Sequence, residues 1–219
     1  MMAQADQPTT DWGNLNKYAA SNKNLKPLAP MEKRIVFMGN SITESWASID
    51  EAFFTNKSYI NRGIGGQTSP QMLIRFRQDV IDLHPAVVVI LAGINDIAEN
   101  TGHITQEQTF GNIVSMAELA KENIISVVLC SVLPAFDFPW RPGLEPAEKI
   151  IKLNAMIKAY CTNEKIVYVD YYSNMVDQEK GLDARYTEDG VHPTLAGYKI
   201  MEPLVEAGIE QALLKEHRR

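Results

Sequence analysis

Residues 86–96 read AVVVILAGIND, and this stretch decides how the rest of the chain is interpreted. It is continuously apolar up to Ala92, with a β-branched centre, and becomes polar after Gly93. A strand with one face in water would alternate between apolar and polar residues. An uninterrupted apolar run instead fits a central parallel strand that is covered on both faces. The stretch therefore predicts a buried strand of a parallel sheet, with polar side chains beyond its carboxyl end.

Other short apolar runs fit strands of the same sheet. They are Lys33–Met38, Ser58–Arg62, Ile124–Leu133 and Lys165–Val169. Between the runs, apolar residues recur three and four positions apart, which predicts helices. The helical segments are Ser41–Phe54, the residues from Pro70 to His84, Thr105–Glu122, Ala147–Tyr160 and Pro193–Leu214, with a bend or interruption near Pro203. This alternation predicts a three-layer α/β/α sandwich around a five-stranded parallel sheet.

The polar N-terminal residues precede the first predicted strand. Within them, Leu15–Ala19 are expected to form a short amphipathic helix. We expect residues 1–30 to pack as an extension on a single domain that spans residues 31–219.

Composition excludes several classes of partner. Of 219 residues, 45% are hydrophobic and 22% charged, and the formal net charge is −6. A mildly acidic surface argues against nucleic acids and anionic membranes as partners. No stretch is long and apolar enough for stable membrane insertion. Cys130 and Cys161 are expected to be buried free thiols. Ala3-Gln4-Ala5 has the small-x-small form of a signal-peptidase site, which slightly favours export to the periplasm or exterior over a cytoplasmic location.

Polar or glycine residues follow each of the first three predicted strands. Ser41 follows the first strand, Gly66 the second and Asn95 the third. In open parallel sheets the functional site lies beyond the carboxyl ends of the strands. We therefore expect these three residues to converge at one edge of the sheet.

Asp189 and His192 could activate Ser41. A serine hydroxyl is a weak nucleophile until a base takes its proton. A carboxylate three positions before an imidazole can fix its tautomer and stabilise the imidazolium. Two alternatives stay open at this point: Ser41 could be only a helix cap, and the Asp189-Gly190 pair only a turn that leaves His192 on the surface.

Gly66 and Asn95 could supply oxyanion donors, one through a backbone N–H and one through a side-chain amide. The glycines at 63–66 could also form only a tight βα turn, and Asn95-Asp96 only a helix cap. A dinucleotide fingerprint fails because its third glycine would fall at Thr68. The G-x-S-x-G elbow of α/β-hydrolases is also absent around Ser41.

Taken together, the four segments resemble the sequence blocks of the SGNH hydrolases, also called the GDSL esterase/lipase family. The blocks are Gly39-Asn40-Ser41, Asn61–Thr68, Gly93–Asp96 and Asp189–His192. The first block normally reads Gly-Asp-Ser, so Asn40 departs from the pattern. We expect that departure to alter the local hydrogen bonds rather than to abolish activity. The second block and the strand pattern are most similar to platelet-activating-factor acetylhydrolase catalytic subunits and bacterial carbohydrate esterases.

The resemblance implies a flavodoxin-like fold and a metal-independent serine esterase without a cofactor. Ser41 would be the nucleophile, His192 the base and Asp189 its orienting partner. The oxyanion donors would be the Ser41 N–H, the Gly66 N–H and the Asn95 amide.

The sequence also suggests a substrate class, a small-molecule or glycan ester. An aromatic loop at 134–146 favours removal of short acyl groups, such as acetyl, from a carbohydrate, with Asn40, Phe136 and Trp140 as candidate binding residues. The loop could equally serve only to pack against the domain. Two further alternatives are a short-chain phospholipid acetylhydrolase or lysophospholipase, and a non-catalytic binding module on the same fold. The oligomeric state is not predicted.

Overall fold

A computed structural model describes residues 11–55 and 57–216. The signal-like Ala3-Gln4-Ala5 lies outside the described residues. Five parallel strands form one sheet in the order β2-β1-β3-β4-β5. The strands are β1 (Ile35–Gly39), β2 (Tyr59–Gly63), β3 (Val87–Leu91), β4 (Ser126–Cys130) and β5 (Val167–Val169). The predicted fold, a parallel sheet between layers of helices, is confirmed.

Helices connect the strands. They are α1 (Ala19–Lys23), α2 (Ser41–Ile49), α3 (Glu51–Phe54), α4 (Ser69–Asp79), α5 (Ile94–Ile97), α6 (Gln106–Glu122), α7 (Pro146–Glu164), α8 (Tyr172–Met175) and α9 (Leu195–Glu216). A 3₁₀ turn at Ile81–Leu83 follows α4. None of the described helices is both long and apolar enough to cross a membrane.

The register of the strands brings three connecting loops to one level. Gly39 at the end of β1 pairs with Gly63 of β2 and with Leu91 of β3. Every residue of β1 and β3 is buried, as expected for strands covered on both faces. The loops that carry Ser41, Gly66 and Asn95 therefore leave the sheet side by side.

Aromatic packing joins the helix after β1 to the C-terminal helix. The Trp46 ring of α2 stacks on Phe53 at 4.8 Å and on Tyr198 of α9 at 5.1 Å between centroids. The Tyr198 hydroxyl donates to the Ile42 carbonyl at 2.8 Å. These contacts hold together α2, which begins at Ser41, and α9, which follows the His192 loop.

Several predicted boundaries are wrong in detail. The helix predicted at Ser41–Phe54 breaks at Asp50, whose φ of −135° and ψ of 71° are not helical. The predicted helix at Leu15–Ala19 is mostly a turn, and α1 begins only at Ala19. Helix α9 runs past Pro203 without interruption. Its buried residues, among them Met201 and Val205, pack in the core on both sides of the proline, and this packing offsets the missing N–H.

Both cysteines are free and buried, as predicted. Burial raises the pKa of each thiol to about 12. Cys130 ends β4 and Cys161 lies in α7.

Candidate active site

Ser41, His192 and Asp189 lie in a continuous hydrogen-bonded row. The Ser41 Oγ is 3.0 Å from His192 Nε2, and His192 Nδ1 is 2.7 Å from Asp189 Oδ2. With the proton on Nδ1, Nε2 is free to accept the hydroxyl proton of Ser41. The two segments are 151 positions apart in sequence, and the fold brings them into contact. This row can abstract a proton from the serine.

The turn around Asp189 fixes the imidazole. One Asp189 oxygen accepts the N–H groups of Val191 and His192 at 2.9 and 2.7 Å, which leaves the other oxygen for the ring. Burial by itself raises the pKa of the Asp189 carboxyl, but hydrogen bonds from the His192 backbone, the His192 ring and Val191 lower it to about 2. The carboxylate is therefore charged throughout the neutral range.

Asn40 places Ser41 on the first turn of α2. Its Oδ1 accepts the N–H of Ile42 at 3.1 Å and so caps the helix. Its Nδ2 is buried and finds no hydrogen-bond partner in the described part of the chain. Ser41 itself is half-buried. Its N–H points from a helix N-terminus, where partial positive charge favours an anion.

Gly66 and Asn95 lie in the loops beside Ser41. Gly66 has a φ of +75°, a conformation that favours glycine. Among residues 11–55 and 57–216, no acceptor takes the Gly66 N–H. The Asn95 side chain is 3% exposed and donates one amide hydrogen to the Gln67 carbonyl at 3.0 Å, which leaves its second amide hydrogen free.

Asp96, next to Asn95, has a separate role. Its carboxylate accepts the Ser69 N–H at 2.9 Å at the start of α4. Burial raises the pKa of Asp96, and the hydrogen bonds from Ser69 oppose that shift. Of the Asn95-Asp96 pair, which the sequence left open as a helix cap, only Asp96 therefore binds the start of a helix in the described structure.

Sequence reasoning missed a buried connection behind these loops. Arg75 of α4 is fully buried, and its guanidinium donates to the Gly39 carbonyl at 3.0 Å and to the Gln67 Oε1 at 2.6 Å. Its charge is balanced by Asp79 at 3.0 Å. One side chain thus ties the strand end before Ser41 to the loop after Gly66. The only signal was a charged residue at a core-facing helix position, which sequence alone cannot connect to two distant loops.

The aromatic loop at 134–146 contributes one side chain next to the hydrogen-bonded row of Ser41, His192 and Asp189. The centroid of the Trp140 ring lies 6.0 Å from that of the His192 ring and 5.2 Å from that of Phe138, on which it stacks. Trp140 is 45% exposed. The loop is held by Arg141, which donates to the Glu99 carbonyl at 2.6 Å and pairs with its carboxylate at 3.0 Å. Phe136 is exposed and lines a separate cleft with Asp189 and Gly190. Trp140 is therefore better placed than Phe136 to contact a substrate at Ser41.

No group of three or more histidine, cysteine or carboxylate side chains is arranged to hold a metal ion in the part of the chain that the structure describes.

Comparisons with known proteins agree with this architecture. The model of the GDSL-like lipase/acylhydrolase family matches residues 37–200. A GDSL-like lipase from Bacteroides thetaiotaomicron, whose crystal structure is known, is 55% identical in sequence to this chain. The two structures superimpose with a TM-score of 0.90, and the match covers 93% of this chain and 100% of the lipase chain.

Two curated bacterial proteins are also similar. Esterase TesA of Pseudomonas aeruginosa is 26% identical over 164 residues, which are 73% of this chain and 75% of TesA. The uncharacterized lipoprotein YqeF of Bacillus subtilis is 31% identical over 85 residues, or 37% of this chain. That match spans only 35% of the lipoprotein, about a third of its length.

The family model matches well over half of the chain, and the resemblance expected from the four sequence blocks is confirmed at the level of the family. On this evidence the chain belongs to the GDSL-like lipase/acylhydrolase family and is an esterase of that family.

Proposed function

We propose that the enzyme hydrolyses short acyl esters through an acyl-enzyme formed on Ser41. The observation that carries this proposal is the row from Ser41 Oγ through His192 to Asp189, with separations of 3.0 and 2.7 Å. Each of the two catalytic steps requires a base on one side of the serine and hydrogen-bond donors for the oxyanion on the other. The contact of His192 with Ser41 supports the first requirement, and the unused N–H groups of Gly66 and Asn95 support the second.

Acylation begins when Ser41 Oγ attacks the ester carbonyl carbon as His192 Nε2 takes its proton. The carbonyl oxygen becomes an oxyanion, for which the N–H groups of Ser41 and Gly66 and the Asn95 amide are the donors. Collapse of this intermediate breaks the bond to the alcohol oxygen, which receives the proton from His192. Water then attacks the acyl group in the same way, the proton passes through His192 back to Ser41, and the acid leaves.

The alcohol part of the substrate is expected to lie beside Trp140. His192 delivers its proton to the leaving oxygen, so side chains next to the imidazole face the alcohol rather than the acyl group. Trp140 is half-exposed there, and an aromatic face with an exposed edge suits a sugar ring. We propose on this ground that the substrate is an acylated carbohydrate and that the acyl group is short, such as acetyl.

A lipid ester is the second candidate. A cleft of about 400 Å³ opens next to the Gly93–Asp96 segment, lined in part by Ile97, Ile104 and Leu153. Its apolar wall could take an acyl chain, as a short-chain phospholipid acetylhydrolase or lysophospholipase would need. The complete triad argues against the remaining alternative, a non-catalytic binding module.

A substrate panel tests the proposal. The purified enzyme would be assayed on acetylated saccharides, on short-chain phospholipids and on p-nitrophenyl esters of increasing chain length. We expect acetylated saccharides to be hydrolysed best and turnover of p-nitrophenyl esters to fall as the chain lengthens. Preference for long chains or for phospholipids would favour the second candidate.

Matched serine variants on α2 provide the control. Ser41→Ala should lower turnover by about 10³-fold or more, because the covalent route disappears. Ser48→Ala should leave turnover unchanged, since within residues 11–55 and 57–216 the only hydrogen bond of the Ser48 hydroxyl is to the Ser45 carbonyl, at 2.9 Å. Turnover by Ser41→Ala close to that of the wild type would show that Ser41 is not the nucleophile.

We also propose that the protein is exported. The signal-like Ala3-Gln4-Ala5 and the similarity to a lipoprotein over part of its length support this. Fractionation of the source cells would test it. Recovery of the enzyme only with a cytoplasmic marker would contradict export.

A further inference from the structure

The N-terminal residues 11–25, called here the strap, lie outside the region that the family model matches. They are nevertheless tied closely to the loop that carries Gly66 and to α4 behind it. Polar contacts run from Gln67 Nε2 to the Gly13 carbonyl (2.9 Å), Gln71 Nε2 to the Trp12 carbonyl (2.8 Å), Gln78 Nε2 to the Leu15 carbonyl (2.6 Å), the Tyr18 hydroxyl to the Gly63 carbonyl, and Lys17 Nζ to Glu44 (2.6 Å).

The turn around Gly66 is held at each neighbouring peptide group. The Gly65 N–H donates to Glu44 Oε2 at 2.6 Å, and the Gln67 N–H donates to the Ile64 carbonyl at 3.3 Å. The Gly66 carbonyl accepts from Asn100 at 3.3 Å. These bonds leave the Gly66 N–H as the donor that is not used within the turn, and they fix its direction.

Glu44 brings a negative charge close to the place where the oxyanion forms. A Cβ built on Gly65 would lie 3.0 Å from Glu44 Oε2 and 3.9 Å from Ser41 Cβ, so this carboxylate oxygen lies within about 7 Å of Ser41 Cβ. A bare carboxylate there would oppose the negative charge of the transition state. Lys17 contacts the other carboxylate oxygen and supplies the balancing cation. Its hydrogen bond and attraction to Glu44 raise the pKa of Lys17, which keeps the ammonium charged.

We propose that the strap is a working part of the oxyanion site, in which Lys17 neutralises the Glu44 carboxylate that holds the Gly65–Gly66 turn. The proposal rests on the esterase mechanism above and assigns Lys17 and Glu44 as positioning residues, since neither touches the substrate. If Lys17 has this role, its replacement changes the stability of the transition state rather than the affinity for substrate, although Lys17 lies outside the residues that the family model matches.

Three variants separate charge from hydrogen bonding. Lys17→Met leaves the Glu44 charge uncompensated and should lower kcat on the order of fivefold to tenfold at low salt, with KM little changed. Glu44→Gln keeps an oxygen that accepts the Gly65 N–H and removes the charge, so its kcat should stay within about twofold of the wild type. The double variant should recover the kcat that Lys17→Met loses.

Two further measurements distinguish an electrostatic role of Lys17 from a purely structural one: the salt dependence of kcat and the affinity for a transition-state analogue. The kcat deficit of Lys17→Met should shrink at high ionic strength, because the interaction is between partly exposed charges. A boronic acid that forms a tetrahedral adduct with Ser41 should bind Lys17→Met more weakly by the same factor as the fall in kcat. Lys121→Met, which breaks a similarly exposed lysine–glutamate pair between α6 and α7 (Lys121 Nζ to Glu164, 2.6 Å), is the matched control and should behave as the wild type.

The outcomes distinguish this proposal from the one on which it rests. A wild type that hydrolyses no ester would contradict the proposed function. An active wild type with an equally active Lys17→Met, or a double variant that is as slow as Lys17→Met, would overturn the role of the strap. All variants would be compared by their thermal midpoints, and Lys17→Met is expected to stay folded because its side chain is 41% exposed.

Discussion

At the scale of single residues, Gly66 is a position where backbone geometry favours glycine. Its φ of +75° is costly for a side chain, although a Cβ there would meet nothing within 4 Å. The expected strain is about 1–2 kcal/mol. Gly66→Ala should therefore lower the thermal midpoint modestly, and it should lower kcat far more than it raises KM, because the N–H would turn away from the oxyanion.

Gly102→Ala controls for strain alone. Gly102 has a φ of +99° and equally open surroundings, but it donates nothing to the proposed oxyanion site. We expect a similar loss in thermal midpoint with normal kcat. A comparable fall in kcat for both variants would show that strain, not the lost donor, limits Gly66→Ala.

Asp189 links the triad to acid stability. Its pKa of about 2 in the folded protein compares with about 3.9 in an unfolded chain. A lowered pKa contributes stability that is complete above the unfolded value and is lost as the pH falls through the folded value. The contribution is small, because the side chain is 43% exposed and solvent screens it.

Thermal unfolding of the wild type and Asp189→Asn across pH would test this linkage. The difference between their thermal midpoints should be constant above about pH 5 and should shrink between roughly pH 4 and pH 2. A difference that does not change with pH would mean that the ionised carboxylate contributes nothing to folding. Turnover of the variant should be strongly reduced at every pH, because an amide cannot stabilise the imidazolium.

Ser41, His192 and Asp189 could be picked out from sequence as candidates because each carries a local signal, and the fold brings the three side chains together. Asp189 and His192 are three positions apart, and Ser41 directly follows an apolar run. Gln67 and Arg75 carried no such signal, since their importance depends on the carbonyls of Gly13 and Gly39, which come close only after folding. Catalytic types can be recognised by chemistry, whereas the residues that hold them depend on long-range geometry.

At the scale of helices, two glycines should respond oppositely to the same substitution. A Cβ at Gly111 of α6 would meet nothing within 4 Å, while one at Gly208 of α9 would lie 2.5 Å from a methyl of Val169 in β5. Gly111→Ala should raise stability by up to about 1 kcal/mol through helix propensity. Gly208→Ala should lower stability, because α9 would have to move away from the sheet.

Urea unfolding of both variants measures the two effects. Stabilisation by both would mean that α9 yields to the added methyl group, and destabilisation by both would mean that α6 does not follow intrinsic propensity. Neither glycine contacts the proposed site, so the Gly111 variant is expected to keep normal kcat.

Helix boundaries were the least predictable part of these elements. The apolar spacing from Ser41 to Phe54 is compatible with one helix, yet the chain turns at Asp50 so that Phe53 can stack on Trp46. Tertiary packing decides this break. The short α5 and α8 span only four residues each, too few for a periodic signal.

At the scale of the whole molecule, the alternation of strands and helices was sufficient to predict the layered sheet. Parallel pairing follows from crossover helices, and the uninterrupted apolar run at 86–92 indicated a central strand. The strand order and the alignment of Gly39 with Gly63 and Leu91 could not be read from the pattern. That alignment determines how closely the loops that carry Ser41, Gly66 and Asn95 approach one another.

The two buried thiols yield a prediction for the folded protein as a whole. With pKa values of about 12 and no exposed sulfur, Cys130 and Cys161 should not react with a thiol reagent at neutral pH in the native state. Both should react fully in denaturant. Rapid reaction of either thiol in the native enzyme would contradict the packing of β4 or α7.

The positions of these two thiols allow the rate of local opening to be measured in two parts of the native protein. Because Cys130 ends β4, an interior strand of the sheet, and Cys161 lies in α7, which packs against the neighbouring β5, each can be labelled only while its surroundings are open. Equal labelling rates would report that strand and helix open together as one cooperative unit, and a faster Cys161 would report that α7 detaches first. An investigator can thus time the opening of two parts of the native protein without introducing any probe.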